Sequence, residues 1–148
     1  MADLDDLDRR IVAELLEDGR LSLAELGERV SLSSPAVKRR VDRLRDTGVI
    51  TGFTAIVDPA ALGKRTEAFV EIHCVANMSP MALRETLAGE PEIVAAYTVT
   101  GDADALVQVR ADDVAHLEAA LERIRTNPAI ARTKTIIVLS RLIAREDP

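Results

Sequence analysis

The sequence predicts an α+β chain: a helix-turn-helix unit of three helices, then a ferredoxin-like βαββαβ unit. Three observations carry this. Apolar residues recur at helical spacing through the first third of the chain and alternate at strand spacing after residue 65. Cap and turn residues punctuate both parts. Residues 21–50, LSLAELGERVSLSSPAVKRRVDRLRDTGVI, hold two short helical patterns around a polar turn. The second pattern carries Lys38, Arg39, Arg40, Arg43 and Arg45 against one acid, Asp42.

Each element has its own signal. Leu4, Leu7, Ile11 and Leu15, widened by Val12 and Leu16, predict a first helix. Asp3, Asp5 and Asp6 complement its dipole, and Gly19 ends it. Ser22 caps a second helix over residues 23–30, with Glu25 placed for a capping box. Ser31 and Leu32 turn the chain. Ser33 caps the third helix, Pro35 falls in its first turn, and Gly48 stops it. Residues 51–57 read extended, and Asp58-Pro59 opens a short turn ending at Gly63.

The second unit follows. Residues 66–76 alternate Ala68, Val70, Ile72 and Cys74 against the other face, a strand. Ser79-Pro80 opens a helix to Ala88, closed by Gly89. Residues 92–100 and 105–111 read as strands joined by Gly101, Asp102, Ala103 and Asp104. Residues 113–126 form a helix with Leu117, Leu121 and Ile124 on one side, broken by Asn127-Pro128. Residues 131–143 make a long final strand, and residues 144–148 are expected to fray. The expected organisation is a first domain over residues 1–51, a linker over 52–65 and a second domain over 66–148.

Composition narrows the function. The chain has 148 residues, 47% of them apolar, enough for real cores. Phe53, Phe69 and Tyr97 are its only aromatics, which argues against single-stranded nucleic acid read by base stacking. Cys74 is the only cysteine, so neither an intrachain disulfide nor a cysteine zinc cluster can form, and a cytoplasmic location is expected. The acidic residues 1–8 and the missing apolar segment after them do not read as a signal peptide. The longest clean apolar run, residues 136–139, is far short of the ~20 a membrane helix needs.

The overall charge is -6, so five cations within residues 38–45 run against the global trend and point to an anionic partner there. Helix-turn-helix spacing makes that partner double-stranded DNA. Val37, Val41 and Leu44 form the seam behind the third helix. Pro35, Ala36, Arg39, Asp42 and Arg43 lie opposite. Arg39 is the candidate base reader, since a guanidinium forks onto guanine O6 and N7. Ser34 and Ala36 lie near base edges or a thymine methyl, while Lys38, Arg40 and Arg43 are expected on phosphates. Against this stands a solvated, self-paired helix face.

Other tempting residues carry little. His73 and Cys74 are adjacent on a strand and point to opposite faces, Cys74 towards the core and His73 towards a surface or interface. His116 has no metal-ligand partner at suitable spacing. No phosphate loop or nucleophile elbow is present. Neither enzyme activity, metal nor cofactor is expected.

The run LDDLDRRIVAELLEDGRLSLAELGERVSLSSPAVKRRVDRLRDTGVITGFTAIVDPAALG resembles the Lrp/AsnC, or feast/famine, transcription regulators. So do YTVTGDADALVQVRA and ARTKTIIVLS, and the similarity spans about residues 3–143. The resemblance implies a winged or plain helix-turn-helix joined to a ferredoxin-like effector domain. It further implies homodimers that associate, often to octamers, and control by an amino acid or similar metabolite. It places Gly101, Asp102, Ala103 and Asp104, with Thr133 and Thr135 of the final strand, at the effector site. Exposed amides there suit a ligand carboxylate; the aspartates suit its ammonium or only orient the loop. Alanines at 103 and 105, where the family often has bulky aromatics, imply a roomier pocket. The alternative is an amino-acid-sensing module that acts through protein contacts rather than DNA.

Overall fold

A computed structural model describes residues 4–143. The chain divides into two compact units, one running to Ile56 and the other starting at Val57.

The first unit is three helices: α1 (Asp6–Glu17), α2 (Leu23–Val30) and α3 (Ser34–Asp46). The Asp5 carboxylate accepts the Asp8 amide and starts α1. The capping box forms as the spacing predicts, with Ser22 and Glu25 each accepting the other's backbone N–H. Ser33 does occupy the N-cap of α3, but its side chain makes no cap hydrogen bond. Gly48 takes φ +73 just beyond the Thr47 C-cap, the left-handed stop its position implies. Ile11, Leu26, Val30, Val37 and Leu44 form the core, with Leu4, Val12, Leu15, Leu32 and Val41 packed around it. The alternation of periods thus placed one apolar stripe per helix where three helices can bury all of them. Residues 51–58 enter no strand, so the helix-turn-helix is a plain one without a wing among the described residues. Asp3 and the residues expected to fray, 144–148, lie outside the described residues.

The tightness of the α2–α3 turn was not legible. Ser31 adopts φ 59, and the Leu32 amide donates to the Gly27 carbonyl at 2.8 Å. A Cβ on Gly27 would stand 2.5 Å from the Leu32 carbonyl oxygen, which is backbone and cannot swing away.

The second unit holds a short 3-10 turn (Pro59–Leu62), then β1 (Thr66–Cys74), α4 (Pro80–Leu87), β2 (Ile93–Thr98), β3 (Ala105–Ala111), α5 (Val114–Arg125) and β4 (Ile130–Ile137). The strands pair antiparallel in the order β2-β3-β1-β4. Ala68, Val70, Ile72, Val107 and Val109 face Leu83, Leu87, Leu117, Leu121 and Ile124 across one side of the sheet. This is the βαββαβ arrangement with both helices on one face. Ala105 is buried in that core rather than open to the loop before it. The final strand stops six residues earlier than the apolar pattern suggests, at Ile137 rather than 143. Its pairing partner β1 begins at Thr66, and once the Val138 amide has donated to the Glu67 carbonyl at 2.9 Å the ladder runs out.

One charge cluster lies beside this core. Glu92 is only 7% exposed; its carboxylate meets His116 Nε2 at 2.8 Å and accepts Arg123 Nη2 at 2.5 Å. Burial pushes the Glu92 carboxyl up, but the hydrogen bonds from His116 and Arg123 outweigh it and leave it below the ordinary value.

Two outcomes follow for stability. Replacing glycine by alanine inside a helix ordinarily gains up to about 1 kcal/mol. At Gly27 the clash reverses that, and Gly27→Ala is expected to cost about 1–3 kcal/mol in urea denaturation. For Glu92, a depressed folded-state pKa means stability that is complete above the unfolded value of 4.5 and lost as pH falls below it. Glu92→Gln is therefore expected to destabilise the protein at pH 7 and to flatten the acid limb of a stability–pH curve below pH 4.5.

Candidate nucleic-acid interface and effector loop

Helix α3 is fixed from behind. Val37 and Leu44 are buried and Val41 is half-buried, so the seam faces α1 and α2 as its spacing implies. Ser34, Pro35 and Ala36 form the first turn. Arg39 is exposed and makes no ion pair with any described residue; the same holds for Arg45. The exposed Lys38 ammonium is 2.6 Å from the Asp42 carboxylate one turn on.

Arg40 and Arg43, expected on phosphates, are engaged within their own unit. Arg40 Nη1 donates to Asp5 Oδ2 at 2.7 Å and to Asp8 Oδ1 at 2.8 Å. Arg43 Nη2 donates to the other Asp8 oxygen. The Asp8 side chain is 1% exposed, that of Arg40 23% and that of Arg43 54%. The hydrogen bond from Arg40, and next the one from the Asp8 amide, hold the Asp5 carboxyl below its ordinary value. Asp8 is the functional candidate that sequence reasoning missed. A signal existed: with Leu4, Ile11 and Leu15 it lies on the apolar stripe of α1, where an acid needs a buried cation.

In the second unit the loop between β2 and β3 is tied to the end of β1. The Asp104 amide donates to the Ile72 carbonyl at 2.9 Å, and its carboxylate accepts the Cys74 amide at 2.7 Å. Gly101 takes φ +123. Asp102, almost fully exposed, accepts Arg132 Nη2 at 3.0 Å on the open face of the sheet. That guanidinium also lies 3.2 Å from His73 Nε2, so His73 is covered rather than a free surface residue. Cys74 is half-buried against the core, and burial, then the Asp104 charge, pushes its thiol up.

The structure gathers Gly101, Asp102, Ala103 and Asp104 at one sheet end but sets the two threonines apart. Thr133 and Thr135 register with Ile72 and Val70 on the helix-covered face. Thr133 receives Arg125 Nε at 3.2 Å, and the buried Thr135 hydroxyl has no partner among the described residues. A groove of about 720 Å³ lies between α4 and β2 and includes none of the loop residues.

Comparisons with known proteins meet this geometry. Residues 67–148 match the Lrp/AsnC ligand binding domain and residues 4–45 the AsnC-type helix-turn-helix domain. The chain belongs to the Lrp/AsnC family. It is 54% identical over 145 residues to the HTH-type transcriptional regulator Rv2324 of Mycobacterium tuberculosis, covering 98% of each chain. Among solved structures, the feast or famine regulatory protein Rv3291c from M. tuberculosis, complexed with L-methionine, shares 36% identity at a TM-score of 0.90, with 99% of each chain covered. E. coli AsnC shares 28% identity at a TM-score of 0.92 over the same fractions. This Lrp/AsnC protein is a transcriptional regulator with a helix-turn-helix DNA-binding domain. No described helix is long and apolar enough to cross a membrane.

Proposed function

We propose that the outer face of α3, formed by Ser34, Pro35, Ala36, Lys38 and Arg39, enters the major groove of duplex DNA, with Arg39 reading a guanine. The observation that carries this is the contrast within one helix. Arg39 stands exposed and free of any described acid, while Lys38, Arg40 and Arg43 are paired. An unpaired guanidinium in the N-terminal half of α3 keeps its fork for a base edge. Lys38 exchanges the exposed Asp42 for a phosphate at little cost, since surface pairs are weak.

The reading head works in duplicate. Two copies place their third helices in successive major grooves, about 34–36 Å apart. The open face of the sheet, with Phe69 and Leu106 half-buried and Ile136 exposed, supports homodimer formation through the second unit. An amino acid bound at the loop of Gly101, Asp102, Ala103 and Asp104 alters how dimers associate. The L-methionine complex of the similar Rv3291c protein supports an amino acid as the effector class. Coupling of this kind is typically worth ~1–3 kcal/mol.

Titration of duplex DNA tests the first part. Arg39→Ala is expected to cost about 1–3 kcal/mol on the preferred site and to relax preference at one base position. Lys38→Ala is expected to weaken all sequences alike and to reduce the salt slope by about one. If neither change alters duplex binding, the protein acts through protein contacts instead. For the effector, Asp102→Ala is expected to keep duplex affinity and to blunt the amino-acid response of gel shifts run with each of the twenty amino acids. An unchanged response removes Asp102 from the site.

A further inference from the structure

We propose that Asp8, helped by Asp5, is a specificity-determining positioning residue: it withholds Arg40 and Arg43 from the DNA backbone and sets the rotation of α3 that presents Arg39. The proposal rests on the reading that the outer face of α3 meets the duplex. Arg40 and Arg43 are three residues apart, so they share one flank of the helix. Both reach the same carboxylate, one on each oxygen. That carboxylate is 1% exposed, and a buried charge demands its partners. Two fixed bonds from one point on α1 leave α3 little freedom to roll about its axis.

The consequence is a selection among cations. Phosphate contacts bind any sequence, whereas base contacts bind the right one. Each arginine moved from phosphate to an internal acid therefore lowers non-specific affinity without touching base readout. Asp5 takes a second share of Arg40, and Asp42 balances Lys38. Of the five cations in residues 38–45, Arg39 and Arg45 are left without a described acid. A helix rich in positive charge thus offers little of it indiscriminately.

The test uses the full-length protein, its preferred site selected from a random-sequence duplex library, and a scrambled duplex of equal length. Asp8→Asn preserves shape and removes the charge that holds Arg43. The slope of log affinity against log salt is expected to steepen by about one, and by about two in Asp5→Asn/Asp8→Asn, where Arg40 is freed as well. Scrambled-duplex binding tightens, and the ratio of specific to non-specific affinity falls several-fold. An unchanged slope with both duplexes weakened alike makes Asp8 only a strut of the fold and overturns the proposal, as does a steeper slope with an undiminished ratio. Should Asp8→Asn fail to fold, Arg43→Gln decides, because Arg40 still pairs with Asp8 in that variant. An unchanged salt slope then supports the proposal, because a withheld Arg43 neutralises no phosphate, and a slope reduced by about one overturns it. Arg39→Ala runs beside these variants: if it loses sequence preference while the acid variants behave as wild type, the interface reading survives and this inference fails.

Discussion

A carboxylate buried where α1 crosses α3 governs the first unit. Asp8 sits on the apolar face of α1 beside Leu4, Ile11 and Leu15. Removing one side of a fully buried ion pair costs about 3–5 kcal/mol; here Arg43 is half exposed, so solvent screening reduces the cost. An aliphatic residue in its place would serve packing at least as well. What the acid adds is direction, because hydrophobic contacts alone tolerate small rotations of a helix while two charge-assisted hydrogen bonds at set distances do not. The Val37–Leu44 seam brings α3 to the core; Asp8 decides which residues then look outward.

Charge is arranged on two scales. The whole chain carries -6, which disfavours loose association with polyphosphate. Locally, α3 concentrates cations, and most of these are matched within a few ångströms by Asp5, Asp8 or Asp42. The exposed pairs can exchange for phosphates with small energetic change, and the buried one cannot. A graded response to DNA follows from burial rather than from charge count.

The second unit applies the same logic to a loop. Asp104 is bound through both its amide and its carboxylate to the end of β1, so the backbone of the turn is held in place. Asp102 is held by an exposed pair with Arg132, which water and salt weaken, and lies 3.9 Å from His73 Nδ1. A rigid frame with one loosely held acid, near a guanidinium and a covered imidazole, offers a ligand bearing both charges two complementary groups at low cost of displacement. Arg132 and His73 meet there because β1 and β4 are adjacent in the sheet, a neighbour relation between residues 59 positions apart in the chain.

The sequence by itself determined the elements, because periodicity, caps and breakers are local: the capping box at Ser22 and Glu25, the left-handed stop at Gly48, and the βαββαβ order all follow from residues a few positions apart. It also exposed the concentration of cations on α3 and the motifs shared with the Lrp/AsnC family. Only the tertiary structure decided which of those cations are free. Arg40 and Arg43 lie more than thirty positions from the acids that claim them, and no local rule links them. Distance likewise hid the early end of β4 and the separation of Thr133 and Thr135 from Asp102, whereas the intolerance of Gly27 for a side chain comes from the close approach of Leu32 within the same turn. Local pattern specifies which element a residue belongs to; the partner of a charge depends on how elements cross, and that is settled only when the cores close.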